Sequence, residues 1–183
     1  MATVNRMIAD LADYTTADLE ALENEHPEWG RLEVIDGALH ATGGSAVGDL
    51  HQLVVQRLHL LVAALCPPSH IVRIDAWWHS PRGKIRPDVA LYRPEDRPAN
   101  RKAFRVAPWA IIEVLSDDAD HDLVRKDGVY AALGVAHRAY VEPWDRYPWW
   151  CRLDGVDHDG PVATWELAGW PPLDLERATL LAD

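Results

Sequence analysis

The chain has 183 residues and a mass of 20.5 kDa, which suits one ordinary domain spanning residues 1–183. Hydrophobic residues make up 48% and charged residues 26%, which excludes disordered and fibrous classes. Two cysteines, Cys66 and Cys151, are too few for a disulfide framework or a cysteine zinc ribbon, and a net charge of −11 argues at first sight against a nucleic-acid partner.

The first turns of the chain carry Asp10 and Asp13 and lack the long apolar stretch of a secretory signal. The longest apolar run, Leu60 to Cys66, is far short of a membrane span. The expectation is a soluble cytoplasmic protein in a reducing compartment, with no membrane partner. The charge is unevenly spread: residues 1–72 sum to −7, residues 73–105 to +5 and residues 106–183 to −9. The central basic island reads either as a solvated loop or as an edge that contacts phosphates, because local potential rather than net charge steers a polyanion.

In chain order, Thr15 with Asp18 resembles a capping box opening a short helix that presents Leu19 and Leu22 before Pro27. Leu32 to Leu39 predicts a hairpin around Asp36-Gly37. Leu50, Leu53, Val54, Leu58, Leu61, Val62 and Leu65 follow helical spacing, stopped by Pro67-Pro68. Ile71 to Trp78 and Ile85 to Tyr92 read as two strands joined across residues 80–83, with a loop over 93–107. Trp109 to Leu115 has the nearly continuous apolar character of a strand covered on both faces. A helix from about Asp120 to Leu133 should end at Gly134, followed by a short strand at Ala139 to Val141. The Trp-rich remainder reads as short strands and turns. The fold class is α/β (α+β): a central mixed β-sheet flanked by helices, with an N-terminal helix and β-hairpin.

Three carboxylates interrupt this apolar pattern. Glu113 sits inside the Ile111 to Leu115 run, where an isolated charge is costly unless neutralised, paired or bound to a metal. Its bland alternative is a strand-end Glu that reaches solvent or a structural Arg. Asp88 follows Arg86-Pro87 and opens an apolar strand, and Glu33 lies in the first hairpin on the face shared with Ile35. Converging, the three would raise one another's pKa unless a divalent cation compensates, and oxygen-only donors favour Mg²⁺ or Mn²⁺. Lys126, one of three lysines, has Asp122 and Tyr130 four residues to either side. It reads either as a surface ion pair or as a cation facing the acids.

Glu33-Val34-Ile35-Asp36-Gly37, His51-Gln52, Arg86-Pro87-Asp88-Val89, Ile112-Glu113-Val114-Leu115-Ser116, Asp122…Lys126…Tyr130 and Gly134-Val135 together resemble the bacterial putative restriction endonuclease family of the PD-(D/E)XK nuclease superfamily. The resemblance covers roughly residues 13–143 as a nuclease-like core. Residues 144–183 form a Trp-rich extension of the same domain. It implies a restriction-endonuclease-like fold with a divalent-metal site at the sheet edge. Asp88 matches the Asp of the PD motif, Glu113 the following acid, and Glu33 an upstream acid that ligates metal or orients water. The superfamily lysine position is Leu115 here, so the resemblance moves that role to Lys126. His51 matches a recurrent position whose role is open between helix capping, support of the ligands and catalysis; Asp122 and Tyr130 are supporting residues.

The implied reaction is phosphodiester hydrolysis in DNA, with Mg²⁺ (or Mn²⁺) held by Asp88, Glu113, the Val114 carbonyl and Glu33, and with Lys126 stabilising charge on the phosphate. Arg82, Lys84 and Arg86 would supply backbone phosphate contacts, and a homodimer would supply two sites for two strands. The rival readings are a catalytically inactive nucleic-acid-binding or regulatory module on the same fold, and a protein-interaction domain using the Trp-rich tail. The nine histidines carry no His-Glu-x-x-His motif, and Trp144, Trp149, Trp150, Trp165 and Trp170 read as packing or a subunit interface before base stacking.

Overall fold

A computed structural model of the chain describes residues 15–41, 49–96, 104–116, 119 and 121–182. Helix α1 (Thr16–Glu25) opens on the expected capping box: the Asp18 amide donates to Thr15 Oγ1 at 3.2 Å and the Thr15 amide to Asp18 Oδ2 at 2.7 Å. Strands β1 (Leu32–Ile35) and β2 (Ala38–Ala41) form the expected hairpin. Asp36 and Gly37 both have positive φ, 51° and 74°, as a type I′ turn requires. Helix α2 (Asp49–Leu65) follows and stops before the two prolines.

The next segment differs from the two long strands that periodicity predicts over residues 71–92. Four short ones form: β3 (Ile71–Ile74), β4 (Trp78–Ser80), β5 (Gly83–Ile85) and β6 (Val89–Tyr92). The first break is at Asp75, which has a φ of 48° that an extended strand cannot hold. The second is at Arg86-Pro87-Asp88, where Pro87 has no amide to give a ladder. The chain thereby serves two sheets. β3 and β6 join β7 (Ala110–Val114), β8 (His137–Val141), β9 (Cys151–Leu153) and β10 (Val156–His158) in a six-stranded mixed sheet of order β10-β9-β8-β7-β6-β3. β4 and β5 join the first hairpin in an antiparallel sheet of order β2-β1-β5-β4. The loop predicted over 93–107 includes a 3-10 turn at Pro94–Asp96 and a bridge from Phe104 to Trp78. Its basic residues Arg97, Arg101 and Lys102 lie outside the described residues.

β7 is buried along its whole length and runs parallel to β8, with Glu113 opposite Tyr140. Between them a π-helical turn (His121–Lys126) leads into α3 (Asp127–Ala132). The helix closes on a Schellman pair, with the Gly134 amide on Ala131 O and the Val135 amide on Tyr130 O. The tail adds the hairpin β11 (Val162–Trp165) and β12 (Leu173–Glu176) and the short helix α4 (Arg177–Leu180).

Strand alternation sorts the interior. Ile112, Val114, Ala139 and Val141 face α2 through Val54, Leu58 and Val62, and Trp150, Trp165, Leu173 and Leu175 extend that core. Ile111 and Tyr140 face the opposite side, against Trp78, Ile85, Val129 and Tyr130. Glu113, in step with Ile111, therefore points to the α3 side. Of the five tail tryptophans, Trp149, Trp150, Trp165 and Trp170 are buried, in agreement with the packing reading. Cys66 and Cys151 are both free thiols. No helix among the described residues is long and apolar enough to cross a membrane.

The two hairpins close on each other at Gly83, which pairs with Ile35. A Cβ placed there would lie 1.8 Å from the Val34 carbonyl oxygen, part of the backbone of β1. Gly83→Ala should therefore destabilise the fold by about 2 kcal/mol or more, read as a lowered melting temperature.

Candidate active site

The residues that seat the site come from β1, α2, the entry to β6, β7, the π-helical turn and α3. The β6–β7 register pairs Val89 with Ile112, and one further step places Asp88 opposite Glu113. The Asp88 carboxylate then turns back on the strand, accepting from the Val114 amide at 2.9 Å. Glu33 on β1 accepts from the Arg86 amide at 2.6 Å, which ties the small sheet to the chain entering β6. Asp122 accepts from both the amide and hydroxyl of Ser116, each at 3.1 Å, and so fixes the π-helical turn to the end of β7. Such turns recur where a helix is adapted to place a functional group.

Lys126 is the last residue of that turn, and its ammonium is almost fully buried. It lies 2.9 Å from Glu113 Oε1, 3.5 Å from Glu33 Oε2 and 4.0 Å from Asp122 Oδ1. The Tyr130 hydroxyl also donates to Glu113 Oε1. The surface-pair reading of Lys126 and Asp122 is thus corrected: both are interior. Asp88 is held by different partners. Arg31 Nη1 stands 3.2 Å from Asp88 Oδ1, with Nη2 3.4 Å from Asp75. His51 Nε2 stands 3.3 Å from Asp88 Oδ2 and 3.0 Å from the Val114 carbonyl oxygen. Glu33, Asp88, Glu113, Lys126, His51, Asp122 and Tyr130 are therefore gathered in one buried cluster.

The electrostatics split the two central acids. Burial is the largest influence on Asp88 and opposes ionisation. The His51 hydrogen bond and the charges of His51, Arg31 and Lys126 overcome it and hold the carboxyl at about 2. Glu113 goes the other way: burial pushes it well above the usual range, Lys126 draws it down, and Asp88, Asp122 and Glu33 push it up again. Burial disfavours the Lys126 charge, but the surrounding carboxylates, Glu113 and Glu33 foremost, keep the ammonium protonated above its ordinary value. Tyr130 is raised by burial and by Glu113, and so remains a donor.

As a donor set the cluster is all oxygen: carboxylates of Glu33, Asp88 and Glu113 with the Val114 carbonyl beside them. That chemistry fits a hard divalent cation, and a raised, buried Glu113 is the carboxyl whose charge such a cation would favour. Among the described residues no three His, Cys, Asp or Glu side chains are grouped closely enough to hold an ion as they stand. Lys126 and Arg31 supply the positive charge instead.

Two residues change their standing. Arg86 is buried, its guanidinium paired with Glu23 and stacked 4.4 Å over the Trp77 ring, while Arg82 and Lys84 are partly open to solvent. Arg31 belongs to no motif in the sequence, yet it reaches Asp88 directly and is influenced by Asp75, Glu33 and Glu113 as well. Its one cue is scarcity, as one of three basic residues before position 73.

Compared with known proteins, residues 16–175 match the sequence profile of the Uma2 family, described as "Putative restriction endonuclease". The chain belongs to the Uma2 family. Its fold is similar to the crystal structure of "a putative nuclease belonging to DUF820" from Anabaena variabilis ATCC 29413, with a TM-score of 0.64 and 16% identity. That match covers 83% of this chain and 90% of the other. No curated protein matches. The Uma2 family and the shared fold together place the cluster in a restriction-endonuclease-like architecture and support a nuclease.

The depressed Asp88 gives a pH signature in chelator-treated protein. Its carboxyl is held at about 2 in the fold against 3.8 unperturbed, so folding favours the ionised form by about 2 kcal/mol. That stabilisation is complete above roughly pH 4 and is lost as pH falls through about 2. Denaturant titrations of the native protein and Asp88→Asn should show a stability gap that is constant at higher pH and narrows toward pH 2.

Proposed function

We propose that this Uma2 protein is a divalent-metal-dependent endonuclease that hydrolyses phosphodiester bonds in DNA. The observation that carries the reading is the buried Lys126 ammonium at 2.9 Å from Glu113, on the acid strand beside Asp88. An interior ammonium ringed by carboxylates is an expensive arrangement for stability alone and a suitable one for meeting a phosphate.

Asp88, Glu113, the Val114 carbonyl and Glu33 would hold Mg²⁺ or Mn²⁺. Bound there, the ion would supply Lewis-acid polarisation of the phosphate and neutralise developing charge. Lys126, with three donors and a fixed position, directs an N–H at a non-bridging phosphate oxygen as negative charge grows there. Asp122 and Tyr130 restrict where that ammonium and the Glu113 carboxyl can move. His51 orients Asp88, since one nitrogen reaches both Asp88 Oδ2 and the Val114 carbonyl. In the reaction water forms the new P–O bond, the bond to the leaving sugar oxygen breaks, and a proton passes to that oxygen. Arg31, on the outer oxygen of Asp88, adds a second cation for the incoming phosphodiester. A closed two-fold dimer would supply the second site that double-strand cleavage needs.

One observation favours the catalytically silent alternative: the chain's own cations and Tyr130 already occupy oxygens of Asp88 and Glu113. The two readings separate in an assay on plasmid and single-stranded DNA with Mg²⁺, Mn²⁺ or a chelator. The nuclease reading expects cation-dependent cleavage by the native chain, none detectable with Asp88→Asn or Glu113→Gln, and a loss of about 10²–10³-fold with Lys126→Ala. DNA binding without turnover at any cation would establish the silent module. Undiminished cleavage by Asp88→Asn and Glu113→Gln would move the chemistry elsewhere.

A further inference from the structure

The small sheet has a second face. β1 and β5 pair Val34 with Lys84, and β5 and β4 pair Lys84 with His79, so these three residues share one side. Glu33, Ile35, Ile85 and Trp78 alternate to the other side, toward Lys126 and Tyr130. On the Val34 side, at the β4–β5 turn, a cleft of about 550 Å³ is lined by His79, Arg82, Lys84 and Arg105, with Asp36 as its one carboxylate.

Two separate stretches of chain bring those cations together, the β4–β5 hairpin and the segment at Phe104. Arg82 comes from the tight turn, Lys84 from β5, and Arg105 from the strand-like bridge in which the His79 amide donates to Phe104 O at 2.8 Å. Asp36 is already engaged, since Arg82 Nε donates to its Oδ1 at 2.5 Å and Nη2 to its Oδ2. Neither Lys84 nor Arg105 forms an ion pair among the described residues, and Lys84 acts on Asp18 of α1 only as the weakest of the influences on that carboxyl. His79 Nε2 is buried there without a hydrogen-bond partner. Its imidazole is held below its ordinary value by burial first and then by the charges of Lys84 and Arg105. With Arg82 taken up by Asp36, two like charges, Lys84 and Arg105, stand together with no ion pair among the described residues, in a chain of net charge −11, and point to a ligand that brings the anion.

We propose that this cleft is a phosphate-binding subsite, separate from the acid cluster, that takes a backbone phosphate of bound DNA through Lys84 and Arg105. The proposal rests on the nuclease reading only for the source of the phosphate. It accounts for how an acidic protein grips a polyanion: by one cationic cleft on the face of β1 opposite Glu33.

The test measures binding of a fluorescein-labelled 20-base-pair duplex to the full chain by anisotropy, in chelator so that nothing is cleaved, across a salt series. The double variant Lys84→Gln/Arg105→Gln should lower the slope of log K against log salt by about two, one for each cation withdrawn from the phosphate backbone. Arg152→Gln, which removes an equal charge from the Asp157 pair on β9, should leave the slope unchanged, and melting temperatures confirm that the variants fold. In parallel, inorganic phosphate added to the native chain should shift the His79 ring resonances, and the double variant should lose that shift. A slope unaltered in the double variant overturns the DNA assignment. If the phosphate shift persists alongside that result, the cleft takes free phosphate and not the backbone. Absence of both effects removes the subsite altogether. Asp88→Asn should keep the native slope; a native chain that cleaves DNA with neither Mg²⁺ nor Mn²⁺ yet shows the expected slopes counts against the nuclease reading and not against the cleft.

Discussion

An ammonium buried among carboxylates is the interaction around which this molecule is arranged. Neither partner is tolerable in the interior alone: transferring a lone ammonium or carboxylate out of water costs several kcal/mol even after relaxation. Placed 2.9 Å apart, Lys126 and Glu113 each offset part of the other's penalty, and Glu33, Asp122 and the Tyr130 hydroxyl complete the shell. This explains why β7 can be buried on both faces and still carry a glutamate at its centre. It also explains why the helix after β7 begins with a π-helical turn tied to Ser116 by Asp122, since the turn sets where Lys126 enters.

Around that pair the protein builds two carboxyls of opposite character. Asp88, with Arg31, His51 and the Val114 amide on its oxygens, is held ionised. Glu113, deeper and surrounded by other acids, is pushed toward its neutral form. Adjacent groups whose environments drive their pKa values apart mark sites that divide acid, base or ligand roles. The split arises from position alone, because Asp88 lies at the mouth of β6 where Arg31 from the β1 side and His51 from α2 reach it, and Glu113 lies within the sheet.

Much of this is legible in the sequence for identifiable reasons. The capping box at Thr15, the Asp36-Gly37 turn, the stop at Gly134 and the apolar run at β7 depend on local backbone chemistry, which neighbouring residues decide. Glu33, Asp88, Glu113 and Lys126 stand out because charge inside apolar runs is conspicuous. The division of residues 71–92 into four strands is not legible. It depends on a positive φ at Asp75 and on a sheet change at Pro87, and neither leaves a pattern in hydrophobic periodicity. Arg86 illustrates the same limit from the other side. Its charge suggests a phosphate contact, while Glu23 on α1 and the Trp77 ring draw it inward.

What the sequence determined by itself is therefore the inventory and its order: which acids interrupt which strands, where the helices start and stop, and a basic island set in an acidic chain. What only the tertiary structure decided is which charges meet. Strand alternation sends Glu33 and Lys84 to opposite faces of the same small sheet. The β6–β7 register sets Asp88 against Glu113, and the Phe104 bridge carries Arg105 to His79. Electrostatic energy depends on distances of a few ångströms between residues dozens of positions apart. Long-range packing sets those distances, and no local stretch of sequence encodes them.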